Sequence, residues 1–448
     1  MSEGKIRNQN TKQPRCPLLD SKTNNKMNRL IIRNVLLDEQ QADIIIEGNS
    51  ILSIAPHSSA PFDGEEIDAT GLAAFPSFCN THAHSAMSLF RGYGDDMPLE
   101  RWLQEKIWPN EANLDAEIVY WGSRLACLEM IKSGTTSFND MYFFAEETAR
   151  ACEEMGMRAT LSLTFFDHFD SQKAEQVKRD LDSYAARVAA LPESELVRWA
   201  VAPHAVYTVS GPTLQYAAEF AREHNMLYHI HASESKTECA NSLRDFGATP
   251  VRHLNNLGVL SDKTIIAHGV WLDDDEIHML GDHGCSVVHN PNSNLKLASG
   301  HAFRYNELRD AGANVALGTD GCSSSNNLDM IEATKVMTML QKGWRLDPVA
   351  MPASEALSVA TRGGFKALGI NAGALQPGML ADLILVDLDN IAFIPNNNTL
   401  SNLVYAAHGD CVDTVICNGR PIMRHRTVEG EEEIKSNARR IVKRLITQ

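Results

Sequence analysis

A chain of 448 residues, 44% apolar and 22% charged, has room for one large core and an appended unit, and its composition is that of a globular protein. Its formal net charge of −16 argues against a nucleic-acid or anionic-membrane surface, since both need basic patches. There is no uncharged apolar run of about 18 residues, so no membrane span is expected.

The chain opens on "MSEGKIRNQNTKQPRCPLLDSKTNNK", which is polar and lacks the apolar stretch of a secretory signal. Residues 1–27 read as a disordered leader, with Met27 as an alternative start. From 28 to 76 the texture changes. "RLIIRNVLL" and "ADIIIEGNSILSIAP" are rich in β-branched residues and broken by turn formers, the mark of short strands. The same texture returns within 375–448, in "ADLILVDLD" and "DTVICNGRPIM", where Asn418-Gly419 signals a hairpin. Two β-rich ends flanking one large middle predict a small β-sandwich domain formed by both chain ends. The final "EEEIKSNARRIVKRLITQ" reads as a surface helix.

The middle, residues 77–374, alternates short apolar runs with amphipathic segments. The runs are "AAFPSFCNTHAH", "GTTSFNDMY", "RATLSLTFFD", "RWAVAPHAVY", "MLYHIHASES", "TIIAHGVWL", "CSVVHNPNSN" and "NVALGTDG". Eight such units predict an α/β fold, a (β/α)8 TIM-type barrel. In each run the apolar residues come first and the polar ones last. The C-terminal strand ends of this fold carry its chemistry, so the polar residues point to one mouth.

His82 and His84 end the first run. Residues i and i+2 of a strand share a face, so both imidazoles face the barrel axis. The pair alone fits either two core histidines or a metal site. The fifth run adds His229 and His231, with Glu234 three residues on. The sixth ends at His268 and the eighth at Asp320. Four strands thus deliver metal-type residues to one rim, which core histidines have no reason to do. Imidazoles with a carboxylate suit one divalent ion, zinc first, with iron, nickel or cobalt as alternatives. Three His and one Asp leave a position open for water, as a catalytic site requires. No cysteine cluster competes. The nine scattered cysteines, with no C-x-x-C pair, read as reduced thiols of a cytoplasmic protein.

H-x-H on the first strand, His on the fifth and sixth and Asp on the eighth resemble the pattern of the amidohydrolase superfamily, as does the flanking β-domain. The fourth run ends "AVAPHAVY", with no lysine to bridge two metals, which resembles the one-metal branch. "WPNE", "APHAVYTVS", "HASES", "HNPNSNLKLASG" and "GTDGCSSSNNLDM" are similar to the methylthioadenosine/S-adenosylhomocysteine deaminases, and related triazine and aromatic chlorohydrolases share much of this. The resemblance implies His82, His84, His231 and Asp320 as metal ligands. It implies Glu234 as proton shuttle, His268 as an oxyanion-stabilising catalytic group, and Asp320 as a catalytic group that aims the attacking water. Glu111 and His204 would bind a nucleoside substrate, and Trp108 would form a wall of its site. The implied reaction is hydrolytic deamination of an adenine nucleoside: methylthioadenosine, S-adenosylhomocysteine, adenosine or 5′-deoxyadenosine. The family also implies a homo-oligomer.

Each substrate residue keeps a structural alternative. Glu111 would also serve as a helix N-terminal carboxylate, His204 would also orient a loop, and Trp108 would also pack a helix. His229, one inward position deeper than His231, reads as barrel filling, and His289 is unassigned. There are two departures from the family. "PSF" replaces "PGF" on the first strand. The two arginines that often follow strand three are absent, and Arg158 stands at the wrong end of its strand to reach the mouth. The rival readings are a chlorohydrolase, a guanine-type or other heterocycle deaminase on the same scaffold, and a non-catalytic metal-binding barrel subunit.

Overall fold

The computed structural model describes residues 29–446; the expected leader, residues 1–27, lies outside them. Eight strands form one parallel sheet in sequential order. They are β6 (Phe78–Ala83), β7 (Thr135–Tyr142), β8 (Arg158–Phe165), β9 (Val197–Pro203), β10 (Leu227–Ala232), β11 (Thr264–His268), β12 (Ser286–His289) and β13 (Asn314–Leu317). The runs are buried almost throughout, because helices cover the outside of the sheet while side chains fill its interior. Helices follow the strands, with caps that satisfy their first N–H groups. Asp115, Asp170 and Asp273 each accept backbone N–H bonds at the start of a helix, and Asp273 does so within a capping box with Glu276.

The sheet closes where its last strand meets its first. The Asp320 N–H donates to the His82 carbonyl at 3.0 Å, and the Asn80 amide bonds the backbone and hydroxyl of Thr319 at 3.0 and 2.7 Å. Gly318 makes this approach possible: a Cβ there would lie 2.8 Å from the His82 carbonyl oxygen.

The second sheet joins the chain ends. Its strands are β1 (Arg29–Leu37), β2 (Gln40–Glu47), β3 (Ser50–Pro56), β4 (Glu65–Asp68), β5 (Leu72–Pro76), β14 (Leu383–Asp387), β15 (Val412–Cys417) and β16 (Arg420–Met423). The order is β16-β15-β14-β5-β1-β2-β3, with β4 also paired to β1. β1 shifts register between Ile32 and Val35, pairing β4 before that point and β5 after it. The sheet thereby folds around a core of its own that includes Ile32, Ile44, Ile46, Leu383 and Ile416. Asn418 (φ 52°) and Gly419 (φ 73°) make the left-handed turn of the β15–β16 hairpin.

Arg158 links the two units. It lies at the start of β8, far from the barrel mouth, and its guanidinium bonds Asp382 at 2.8 and 3.3 Å and the Asn418 side chain at 2.6 Å. Asp382 also accepts from Thr136 at 3.2 Å, whose hydroxyl lies 2.6 Å from that of Ser77. The serine that replaces glycine in "PSF" is therefore part of this buried network.

The terminal helix, Glu431–Leu445, lies on the barrel surface with Ile434, Ala438, Ile441 and Leu445 buried along one face. Ala438, Ile441 and Leu445 pack with Met87, Phe90 and Trp102, the residues that back the segment after His84. Among the described residues, no helix is long and apolar enough to cross a membrane, and the described cysteines are free thiols.

Candidate metal centre and active site

The strand ends bring the histidines together. The imidazoles of His82 and His84 have ring centroids 4.9 Å apart; His231 lies 4.9 Å from His82, and His268 lies 5.4 Å from both His82 and His231. Two left-handed residues aim side chains inward at the ends of their strands, His268 at φ 76° and Asp320 at φ 63°. Such backbone is costly for non-glycine residues and clusters at functional sites.

Hydrogen bonds set which nitrogen each ring presents. The His84 Nδ1–H donates to the Met141 carbonyl at 2.6 Å, and the His231 Nδ1–H donates to the His204 carbonyl at 2.9 Å. When these two rings are neutral, the Nε2 lone pair of each faces the centre. The His82 Nδ1 is 3.0 Å from the His229 Nε2, while its own Nε2 is buried without a hydrogen-bond partner. Asp320 Oδ2 accepts from Ser293 and Ser324 at 2.7 and 2.8 Å. Its Oδ1 faces the His84 and His82 Nε2 atoms at 3.1 and 3.4 Å.

A buried unpartnered nitrogen, two lone pairs fixed by carbonyl-bound rings and one free carboxylate oxygen are a donor set that fits a divalent cation. The ligand atoms of His82, His84 and Asp320 lie within 4.8 Å of one another, as do those of His82, His231 and His268. His268 differs from the others. The Asn294 and Asn290 amide nitrogens face its Nδ1 at 3.0 and 3.3 Å, so that nitrogen accepts and the ring proton sits on Nε2. A protonated Nε2 donates a hydrogen bond and does not ligate. It points towards Glu234, whose Oε2 is 3.7 Å away.

The electrostatics follow from burial and from Asp320. Burial drives His82 down to about 4 and His268 to about 4, and drives His231 well below its usual range. For His84 burial also opposes the charge, but the facing Asp320 carboxylate outweighs it and lifts the ring to about 9. Burial works against ionised Asp320 too, yet the two imidazoles hold its carboxyl well below the usual range. A proton and a divalent cation compete for such a pocket of lone pairs. Burial, reinforced by the Asp320 charge, raises Glu234 to about 8.

Behind Glu234 stands a group that sequence reasoning missed. The Glu238 carboxylate accepts the backbone N–H groups of Ser233 and Glu234 at 3.1 and 2.7 Å. It fixes the loop that carries Glu234, where Ser233 is left-handed at φ 55°. Ser293 and Ser324 were likewise unassigned, although both lie within the motifs "HNPNSNLKLASG" and "GTDGCSSSNNLDM". His229 fills the barrel interior as expected and also contacts His82. His289 stacks on Phe303, with centroids 4.1 Å apart and 9° between the planes.

The centre opens into a cavity of about 660 Å³ lined by His84, His204, His231, Glu234, His268 and Asp320 on one side and by Glu111, Trp108, Tyr142, Phe166 and Tyr207 on the other. Its outer wall is the helical segment 99–111, which widens to a π turn over Leu103–Ile107. Pro109 lacks the N–H an α-helical register needs, and the Asn110 side chain bonds the Lys106 carbonyl at 2.7 Å. Glu111 ends this segment. The next helix is capped by Asp115, so Glu111 is not its N-terminal carboxylate. Burial pushes the Glu111 carboxyl up, and the nearby Tyr142 hydroxyl partly offsets this. His204 both lines the cavity and holds His231 through its carbonyl; its ring Nδ1 lies 3.0 Å from the Thr208 hydroxyl.

Comparison with known proteins agrees with this geometry. The chain is 47% identical over 427 residues to a 5′-deoxyadenosine deaminase of Methanoregula boonei, covering 94% of this chain and 96% of that one. It is 43% identical over 408 residues to 5-methylthioadenosine/S-adenosylhomocysteine deaminase 1 of Archaeoglobus fulgidus, covering 90% and 95%. Its fold superposes with a TM-score of 0.86 on an adenosine deaminase from Xanthomonas campestris crystallised with bound zinc, at 33% identity over 93% of this chain and 98% of that one. An atrazine chlorohydrolase from Arthrobacter aurescens superposes at a TM-score of 0.84, covering 92% of this chain and 100% of that one; its 22% identity speaks to the fold alone. The amidohydrolase family profile matches residues 73–422. With the barrel, its strand-end histidines and Asp320 in place, the chain belongs to the amidohydrolase family.

Proposed function

We propose that this protein is a divalent-metal hydrolase that removes the amino group of an adenine nucleoside as ammonia. The observation that carries the reading is the meeting, at one cavity, of two sets of groups. Two triads of ligand atoms, His82 with His84 and Asp320 and His82 with His231 and His268, share the His82 ring, and the Glu234 carboxylate stands 3.7 Å from the His268 Nε2. The names of relatives more than 40% identical to the chain support the same chemistry.

His82, His84, His231 and Asp320 would hold one ion, with zinc the first choice because imidazole and carboxylate donors suit it. The bound ion supplies Lewis acidity, which acidifies a water molecule towards neutrality. The chain's own groups do the rest. Asp320, its carboxylate held by the Ser293 and Ser324 hydroxyls, accepts a hydrogen bond from that water and aims it. Glu234 takes the water's proton and passes it to the ring nitrogen next to the amine-bearing carbon, making that carbon electrophilic. The His268 Nε2–H donates to the oxygen of the attacking water and steadies the charge it carries once its proton has gone to Glu234. Asn294 and Asn290 keep the proton on that nitrogen. The amine leaves as ammonia once protonated through Glu234 or Asp320. Glu111 accepts from ribose hydroxyls, His204 bonds the sugar from the other side, and Trp108 walls the site. The cytoplasm suits the reduced thiols.

The test is ammonia release from adenosine, 5′-deoxyadenosine, 5′-methylthioadenosine, guanine and an aminotriazine, with zinc supplied. Release from the adenine nucleosides is expected. Inertness towards all three would refute the proposal, and chloride release from a chlorotriazine would move it to the hydrolytic dehalogenation reading. We also predict that His82→Ala loses metal and activity together, because the His82 ring is fully buried and its Nε2 has no hydrogen-bond partner. Full metal occupancy of the purified variant by elemental analysis would overturn the ligand assignment.

A further inference from the structure

A second cavity joins the first across the residues proposed to hold the sugar. The two share Trp108, Glu111, Phe143 and Phe166. The outer one, about 850 Å³ with its open mouth, is completed by Ala112, Leu114, Phe144 and His168. Its wall is an aromatic ladder. Phe166 packs on His204 at 4.8 Å between centroids, on Phe143 at 6.1 Å, and face to face on His168 at 5.5 Å and 1°. Among the described residues, neither cavity is lined by lysine or arginine, and the one carboxyl where they meet is Glu111.

The direction of the substrate follows from the proposed function, on which this inference rests. An adenine ring with its amine at the metal centre places its ribose at Glu111 and His204. Whatever the 5′ carbon carries then leaves the first cavity past Glu111 and Trp108 and enters the second. We infer that this outer cavity is the 5′-substituent subsite and that it selects adenine nucleosides with a hydrogen or an apolar group at the 5′ position over those bearing a carboxylate. Apolar groups gain by leaving water against Phe143, Phe144 and Phe166. The homocysteine end carries a carboxylate as well as an ammonium; that carboxylate finds no lysine or arginine, only the His168 imidazole stacked on Phe166, and loses hydration without a strong partner.

The experiment compares kcat/KM for 5′-methylthioadenosine, 5′-butylthioadenosine and S-adenosylhomocysteine on the zinc-loaded enzyme. S-Adenosylhomocysteine is expected to be at least about tenfold poorer than methylthioadenosine, since an unpaired charged group costs more than about 1 kcal/mol. The uncharged butyl analogue, of similar reach, is expected to stay within about threefold of methylthioadenosine. Parity of S-adenosylhomocysteine with methylthioadenosine would overturn the inference while leaving the deaminase reading intact. An equal loss for the butyl analogue would show a limit on length, not charge, and would overturn it too. Turnover of none of the three would instead sink the proposed function. Phe144→Arg places a guanidinium at the cavity's exposed rim, and Phe144 is already left-handed at φ 52° and part-exposed. It is expected to raise the S-adenosylhomocysteine-to-methylthioadenosine ratio at least about fivefold. An unchanged ratio would place the cavity outside the bound substrate and reject the subsite.

Discussion

Replacing Glu234 with Gln is expected to lower kcat by about 10³-fold, within the range by which a positioned proton-transfer group accelerates such a step. Metal content is expected to stay at the wild-type level, because Glu234 is not among the converging ligand atoms. The amide keeps the volume of the carboxyl but can neither take the water's proton nor deliver one to the ring. Substrate binding, which the proposal assigns to Glu111, His204 and the aromatic wall, is expected to change little, so the loss falls on kcat and not on KM. Single-turnover ammonia release alongside metal analysis checks this. A variant retaining more than a tenth of wild-type turnover would remove Glu234 from the mechanism. A milder change behind it, Glu238→Gln, halves the anchoring of the Ser233–Glu234 backbone and is expected to reduce kcat by about tenfold with the metal retained.

The largest expected effect on stability lies at the opposite end of the barrel. Arg158→Met leaves Asp382 buried, with its Arg bonds at 2.8 and 3.3 Å gone and Thr136, the Asn418 N–H and the weak Cys417 thiol as the remaining donors. Breaking a buried ion pair from one side costs about 3–5 kcal/mol, far more than an exposed pair contributes. The variant is expected to melt several degrees lower. The double change Arg158→Met with Asp382→Leu is expected to recover part of the loss, because no stranded charge remains. Equal melting temperatures for wild type and Arg158→Met would show that the network joining barrel and β-domain carries no net stability.

The barrel, and the gathering of its strand-end histidines with Asp320, were legible because both depend on local order. A buried strand is an apolar run, and its mouth-facing end is where His and Asp interrupt that run. The i and i+2 spacing of His82 and His84 alone places two rings on one side. The terminal domain was legible from texture, and the turn at Asn418-Gly419 from its dipeptide. What stayed hidden depends on partners far apart in the chain. Arg158 was correctly placed away from the mouth, but Asp382, 224 residues later, bears no local mark of being its partner. The Glu238 clamp is hidden for another reason: a carboxylate early in a helix ordinarily faces solvent, and only the left-handed turn at Ser233 carries the backbone N–H groups back to it. The aromatic outer cavity is assembled from the loops after β7 and β8 and from segment 99–111, none of which has a periodicity that reveals a shared face.

Both sheets are completed by strands from late in the chain meeting strands from early in it. β5 pairs with β14, Leu383 opposite Pro76, and the barrel seam joins residues 80–82 to 319–320. During synthesis the early strands therefore emerge with open edges and wait for partners made more than two hundred residues later. Such long-range closure slows folding and leaves strand edges open to mispairing in the interval. The seam also divides the proposed metal ligands, His82 and His84 on one lip and Asp320 on the other. An ion held by both lips would add to the hydrogen bonds that already close the seam, so metal removal is expected to lower the melting temperature as well as the activity.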